Sequence, residues 1–239
     1  MSSEPPRPSA SSAPRGLGEP AFPPRVTVSH DEPVKTYYAR RLAQHTADWY
    51  CGIRLQKFPE DLRTYEHLIW DSAATVVIEL GCHRGGSTLW LRDRLVALER
   101  YRPGSPVPLV VGIGLDTAPA REGVGLRDPD YARTIQFLDG SILDPELPER
   151  VQGLLPANSP CLVIEDTAHE YETTMAALTG YARFVRPGGY FVVEDGVVDD
   201  PELTDSSMGA GGVLRAVGNG SRRPPGRSSP NGATSSCMA

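Results

Sequence analysis

Five short apolar runs, at residues 75–80, 109–115, 134–138, 161–164 and 190–193, are interspersed with helix-like stretches at 87–101, 144–154 and 170–185. Runs of this length read as strands, and strands that alternate with helices need crossover connections. Such connections give a parallel sheet covered on both faces. The expected fold class is therefore α/β, a doubly wound and mainly parallel sheet. No internal repeat is visible, and 239 residues suffice for one domain with a sizeable core.

The flanks differ from this middle. Residues 1–30 are rich in Pro, Ser, Gly and Arg and have few large apolar groups, so a disordered leader is expected. Residues 31–72 read as a helical, lid-like segment. Tyr38, Leu42, His45 and Trp49 recur at helical spacing, which predicts a helix over 37–49 docked on the core. A loop follows, in which Pro59 biases Phe58 away from helix, and Glu60 and Asp61 favour a new helix running to about Trp70. The main domain is expected over 73–217. From 218 to 239 the composition changes to Gly, Pro, Ser and Arg with no strand or helix pattern, and disorder is expected.

Charge and cysteine usage narrow the function classes. The net charge is −6, and Lys and Arg are scattered rather than gathered into a stripe that would track a phosphate backbone, so nucleic acid is not an expected partner. No apolar run is long enough to span a bilayer. The N-terminus lacks the apolar core of a signal peptide, and Cys51, Cys82, Cys161 and Cys237 show no CxxC spacing. A cytoplasmic protein with reduced thiols is the expectation.

The first apolar run leads into Glu79-x-Gly81-x-x-x-Gly85 and then Ser87, at the start of a helix. This is not the GxGxxG spacing that brings a pyrophosphate onto a helix N-terminus. Glycine backbone that can lie close to a ligand, with a carboxylate at its entrance, suits a cationic cofactor without phosphate, such as S-adenosylmethionine. A plain strand-to-helix turn is the alternative. The other runs also end in acids: Asp116, Asp139 before Gly140 and Ser141, Glu165 and Asp166, and Glu194 and Asp195. In an open parallel sheet these residues share one rim, and clustered carboxylates call for a cation. Asp166, Glu194 and Asp195 offer the hard oxygen ligands that magnesium prefers, and His169 on the following helix start is placed to take a proton from a hydroxyl. Against this stands a structural reading in which Asp166 and Asp195 cap turns and His169 merely starts a helix. Tyr37, Tyr38, Lys57 and Asp61 are further residues that could reach the rim, although such side chains more often pack or face water.

Taken together, these segments resemble the cephalosporin hydroxylase-like and rhamnosyl O-methyltransferase family, close to the macrolide-sugar O-methyltransferases of antibiotic biosynthesis. The resemblance rests on Gly52-Ile-x-Leu-x-Lys57-x-Pro59-x-Asp61-Leu62, on the Glu79 to Ser87 motif, on Asp166-x-x-His169, and on the stretch from Gly188 to Glu194 and Asp195. It implies a class I, Rossmann-like methyltransferase fold, S-adenosylmethionine as methyl donor, a magnesium ion, and a glycoside or other natural-product hydroxyl as acceptor in secondary metabolism. It leaves room for a homo-oligomer. By the same resemblance, Asp166, Glu194 and Asp195 are the metal ligands and His169 the general base. Glu79, Gly81, Gly85, Ser87 and Asp116 contact the cofactor, with Gly140 and Ser141 nearer the adenine. Relatives continue where this chain turns to its Gly/Pro/Ser/Arg tail, so the last strands of the sheet are expected to be missing. A truncated or frame-shifted product and a natural variant both stay open. Two other functions remain in play: a non-catalytic cofactor-binding partner protein, and a component of an oxidative tailoring system. The latter lacks an evident pair of His ligands with a carboxylate of the kind non-haem iron uses.

Overall fold

The structure, a computed structural model, describes residues 33–102, 104–200, 211–221 and 236–237. The expected leader over 1–30 lies outside the described residues. Helix α1 (Val34–His45) leads into a small antiparallel hairpin, β1 (Trp49–Tyr50) and β2 (Ile53–Arg54), and then helix α2 (Pro59–Asp71). Five strands follow: β3 (Val76–Leu80), β4 (Leu109–Gly114), β5 (Ile135–Asp139), β6 (Cys161–Glu165) and β7 (Phe191–Val193). They are separated by α3 (Gly86–Glu99), α4 (Ala118–Gly125), α5 (Leu147–Gln152) and α6 (Tyr171–Tyr181). Helix α7 (Val213–Ser221) and the two-residue strand β8 (Ser236–Cys237) complete the described elements.

The sheet runs in the order β5-β4-β3-β6-β7-β8, and every pairing in it is parallel. The chain winds outward from β3 to β5 and then returns to the other side of β3 with β6. The topological switch point, where ligands bind in such sheets, therefore lies between the carboxyl ends of β3 and β6. Period-two alternation sorts the side chains of β3. Val77 faces the cluster formed with Tyr65, Ile69, Leu89, Leu91 and Leu95 of α2 and α3, while Val76, Ile78 and Leu80 face that formed with Leu147, Ala177 and Tyr181 of α5 and α6. Both faces are covered, which is why all five residues of β3 are buried.

Several boundaries depart from the sequence reading. The helix expected over 37–49 stops at His45, and Trp49 lies in the hairpin, because Cys51 and Gly52 both take positive φ, 50° and 77°, and turn the chain back. Helix α4 was not anticipated, since Pro119 and two glycines disguise it; proline in the first turn is tolerated because its missing N–H would have had no partner. The stretch expected over 170–185 divides into α6 and a short 3₁₀ turn at Ala182–Phe184. Of the tail expected to be disordered over 218–239, residues 222–235 and 238–239 lie outside the described residues; 218–221 are the end of α7, which packs Val213 and Ala216 fully into the core, and 236–237 form β8 alongside β7. Asp199 caps α7 by accepting a hydrogen bond from the Leu214 N–H at 2.7 Å.

Candidate active site

At the switch point the backbones of two loops touch. A Cβ on Gly81 would stand 1.8 Å from the carbonyl oxygen of Asp166, and Gly81 has φ 104°, so the floor of the site admits glycine alone. The Asp166 N–H donates to the Leu80 carbonyl at 2.8 Å, which ties the ends of β3 and β6 together. A cavity of about 610 Å³ opens above this floor. Ile113, Leu115, Ile142 and Leu143 give it apolar walls, and Asp116, Gly140, Ser141 and Asp166 give it a polar edge. That size and lining suit a small organic ligand. Asp116 uses one carboxylate oxygen to accept the Ala118 N–H at 2.9 Å. Asp139 accepts the N–H and hydroxyl of Thr117 at 2.8 and 2.6 Å, and these bonds hold its carboxyl below the usual range.

Of the residues read from sequence as cofactor contacts, Gly81, Asp116, Gly140 and Ser141 line this cavity. Glu79, Gly85 and Ser87 do not line it. Glu79 is fully buried beneath it, where one oxygen accepts the Thr88 hydroxyl and the other has no hydrogen-bond partner. Burial pushes the Glu79 carboxyl up, against the pull of Lys57 and the nearby hydroxyls. Gly85 is the left-handed N-cap of α3, and Ser87 is buried in its first turn.

Beside the cavity lies the acidic rim. His169 Nε2 stands 3.2 Å from Asp195 Oδ2 and 3.8 Å from Asp166 Oδ1, and one ligand atom from each of the three residues falls within 4.8 Å of the others. His169 is not within helix α6, as expected, but two residues before it, at φ 56°; Asp195 is likewise left-handed, at φ 54°. Such backbone costs on the order of 1–3 kcal/mol per residue and persists where surrounding structure enforces it. Helix α6 is capped by Glu170, through a reciprocal box with Thr173, and no side-chain cap bond is made by Asp195. The capping roles that would explain these acids structurally are therefore filled elsewhere or absent. His169 Nδ1 is buried without a partner.

Glu194, also expected among the metal ligands, is turned the other way. Its oxygens accept from Lys57 Nζ at 2.6 Å each and from the Tyr65 hydroxyl. Lys57 also bonds Asp166 Oδ2, so Asp166 divides its carboxylate, one oxygen toward Lys57 and the other toward His169. Burial alone would lower Lys57, but Asp166, Glu194 and Glu79 outweigh it and hold the ammonium above the ordinary lysine range. Burial raises Tyr65, and the Glu194 carboxylate raises it further. Asp61 is pushed up to about 6, first by burial and then by Asp195, Glu60 and Asp166, with Lys57 opposing. Tyr38, Phe58, Asp61 and Val197 close over Asp195 and leave about 20 Å³, room for one water molecule. Lys57 thus has a definite place in the site, where sequence gave it no more than a chance to reach the rim. Tyr65 was missed, though its i+4 position from Asp61 on α2 was the available signal.

The donor set fits a hard divalent cation through the Asp166 and Asp195 oxygens, with Glu194 one residue away but engaged by Lys57. The cavity, with apolar walls for a base and Asp116 at the edge for hydroxyl groups, fits an adenosyl cofactor. An open sheet in this order, with a cavity at its switch point, is the class I methyltransferase fold. The chain belongs to the Rhamnosyl O-methyltransferase/CmcI family, which it matches over residues 43–219. It is similar to the rhamnosyl O-methyltransferase of Mycobacterium tuberculosis, 25% identical over 167 residues that make up 69% of this chain and 62% of that protein. The chain thus spans somewhat less than two thirds of the length of that relative. Among solved structures, the O-methyltransferase from Bacillus cereus in complex with SAH superposes with TM-score 0.54 at 15% identity, covering 82% of this chain and 83% of that one. TomG from Streptomyces achromogenes, an O-methyltransferase involved in tomaymycin synthesis and solved with SAM, gives 0.53 at 20% identity, covering 81% and 80%. At these identities the structural likeness concerns the fold.

Proposed function

We propose that the chain is a magnesium-dependent O-methyltransferase that moves a methyl group from S-adenosylmethionine to a hydroxyl of a sugar or natural-product acceptor. The observation that carries this reading is the convergence of His169, Asp166 and Asp195 on one rim of a cavity of cofactor size. Family membership and the rhamnosyl name of the mycobacterial relative support the chemistry and the acceptor class.

When bound, S-adenosylmethionine supplies an electrophilic methyl group and magnesium supplies positive charge that makes a nearby hydroxyl more acidic. Asp166 and Asp195 would hold the metal, with Glu194 available if Lys57 releases it. His169 Nε2 takes the proton of the acceptor hydroxyl, and the Asp195 carboxylate at 3.2 Å stabilises the imidazolium that forms. A cofactor held against Asp116, Gly140 and Ser141 would supply its methyl group to the oxygen deprotonated by His169, with the electron pair of the broken bond left on its sulfur. Lys57 neutralises part of the buried acid, so the carboxylates stay ordered. The lack of a side chain at Gly81 lets the Asp166 backbone close against it as the cavity floor, and the apolar walls would exclude water from the reacting atoms.

The test is conversion of S-adenosylmethionine to its demethylated product with a panel of deoxysugar glycosides, with and without chelator. Wild-type turnover that falls about 10²–10⁴-fold in His169→Ala supports the assignment of the base. Undiminished transfer in that variant removes it.

A further inference from the structure

A second cavity, of about 250 Å³, lies between the β1–β2 hairpin, the loop after β3 and helix α4. Its wall includes Trp49, Arg54, Arg84 and Glu122. Arg84 and Pro119 also line the large cavity, so the two adjoin. Several arginines of this protein are neutralised: Arg92 pairs with Asp93 and Asp128, Arg94 with Glu66 and Arg183 with Glu149. Arg54 and Arg84 have no carboxylate within ion-pair distance among the described residues, and neither does Arg127. The Arg127 guanidinium lies against the hairpin turn, 2.6 Å from where a Cβ on Gly52 would stand. Arg54 is steered by the Trp49 ring, with its guanidinium carbon 5.8 Å from the ring centroid. Arg54 and Arg84 both line this one cavity, and both, after burial, hold the neighbouring His83 below its usual range.

We propose that Arg54 and Arg84 form an oxyanion-binding subsite beside the cofactor cavity, which takes a carboxylate or phosphate of a small molecule bound there. The inference rests on the cofactor reading above and deepens it. Two guanidinium groups without an ion-pair partner among the described residues, on the wall of one cavity in a chain of net charge −6, are what planar, bidentate oxyanion recognition needs. Glu122 is the one carboxylate in the lining and leaves the cations in excess. The acidic rim at Asp166 and Asp195 repels an anionic group while the arginines attract it, so the pair of sites fixes which way round a charged ligand lies. Two sources of the oxyanion share this chemistry: the amino-acid carboxylate of the cofactor, and an anionic group on the acceptor.

The experiment is calorimetric titration at low ionic strength of wild type and of the Arg54→Gln, Arg84→Gln double variant. The probes are S-adenosylhomocysteine, 5′-methylthioadenosine, which lacks the amino-acid end, and inorganic pyrophosphate added to protein saturated with S-adenosylhomocysteine. A cofactor carboxylate in the subsite predicts that the double variant binds S-adenosylhomocysteine about tenfold to a hundredfold more weakly and 5′-methylthioadenosine unchanged. An acceptor anion predicts unchanged S-adenosylhomocysteine binding and a wild-type affinity for pyrophosphate that the variant loses. The proposal is overturned if the variant matches wild type for all three probes, or if the two nucleosides weaken together. Failure of wild type to bind either nucleoside contradicts the cofactor reading instead.

Discussion

Replacing Lys57 by Met keeps the side-chain volume and removes the ammonium on which two carboxylates depend. The Lys57 side chain is 3% exposed, and those of Glu194 and Asp166 are 10% and 19% exposed. Removing one partner of a buried pair costs about 3–5 kcal/mol, because the remaining charge is left without compensation. Asp166 reaches the edge of the cavity and gains some hydration, so the lower end, about 3 kcal/mol, is the expectation. At roughly 2–4 °C per kcal/mol for a domain of this size, the midpoint of thermal unfolding falls by about 6–12 °C. Urea denaturation with an unchanged slope and differential scanning calorimetry both read this loss. Adding Glu194→Gln in the Lys57→Met background removes one stranded charge and recovers at least about 1 kcal/mol, an interaction energy typical of groups in direct contact. A Lys57→Met protein within about 0.5 kcal/mol of wild type would refute the reasoning, since that is the effect of an ordinary surface substitution.

Three further outcomes are expected. Asp61, raised to about 6, stabilises the fold most when protonated, below its unfolded value near 4, and that contribution is lost as pH rises through 6. Asp61→Asn therefore flattens the stability profile between pH 4 and 6 and is more stable than wild type at pH 7, by about 1 kcal/mol once solvent screening of this partly exposed group is allowed for; denaturation across that range checks it. Gly81→Ala forces a Cβ to within 1.8 Å of the Asp166 carbonyl and places alanine at φ 104°, so cofactor binding is abolished and thermal stability falls, as calorimetry would show. Burial pushes Cys82 up to about 12 and Cys161 up to about 11, whereas Cys51 is exposed. Iodoacetamide at pH 8 therefore labels Cys51 in the native protein and reaches Cys82 and Cys161 after unfolding, a difference that peptide mass spectrometry resolves.

The parallel sheet was legible because its strands are buried on both faces and so read as unbroken apolar runs; β3 and β6 start and end within about two residues of expectation. The acids that end those runs were legible for the same reason, since strand direction alone puts Asp116, Asp166 and Asp195 at one end. Side-chain direction at that rim was not. Glu194 and Asp195 are adjacent in sequence, but Glu194 points inward to Lys57 and Tyr65, while a left-handed backbone at Asp195 turns its carboxylate outward to His169. Neither the hairpin that delivers Lys57 nor helix α4 has a strong local signature. The hairpin has two-residue strands, and α4 contains Pro119, Gly123 and Gly125. Their conformations are set by packing against α3, where Gly86 admits the backbone of Arg54.

The most direct test of the account is a calorimetric titration of the chain with S-adenosylmethionine, with and without magnesium, repeated on Asp116→Ala. The account predicts saturable binding of one cofactor per chain that weakens in the variant. No binding by folded wild-type protein in either condition would contradict it.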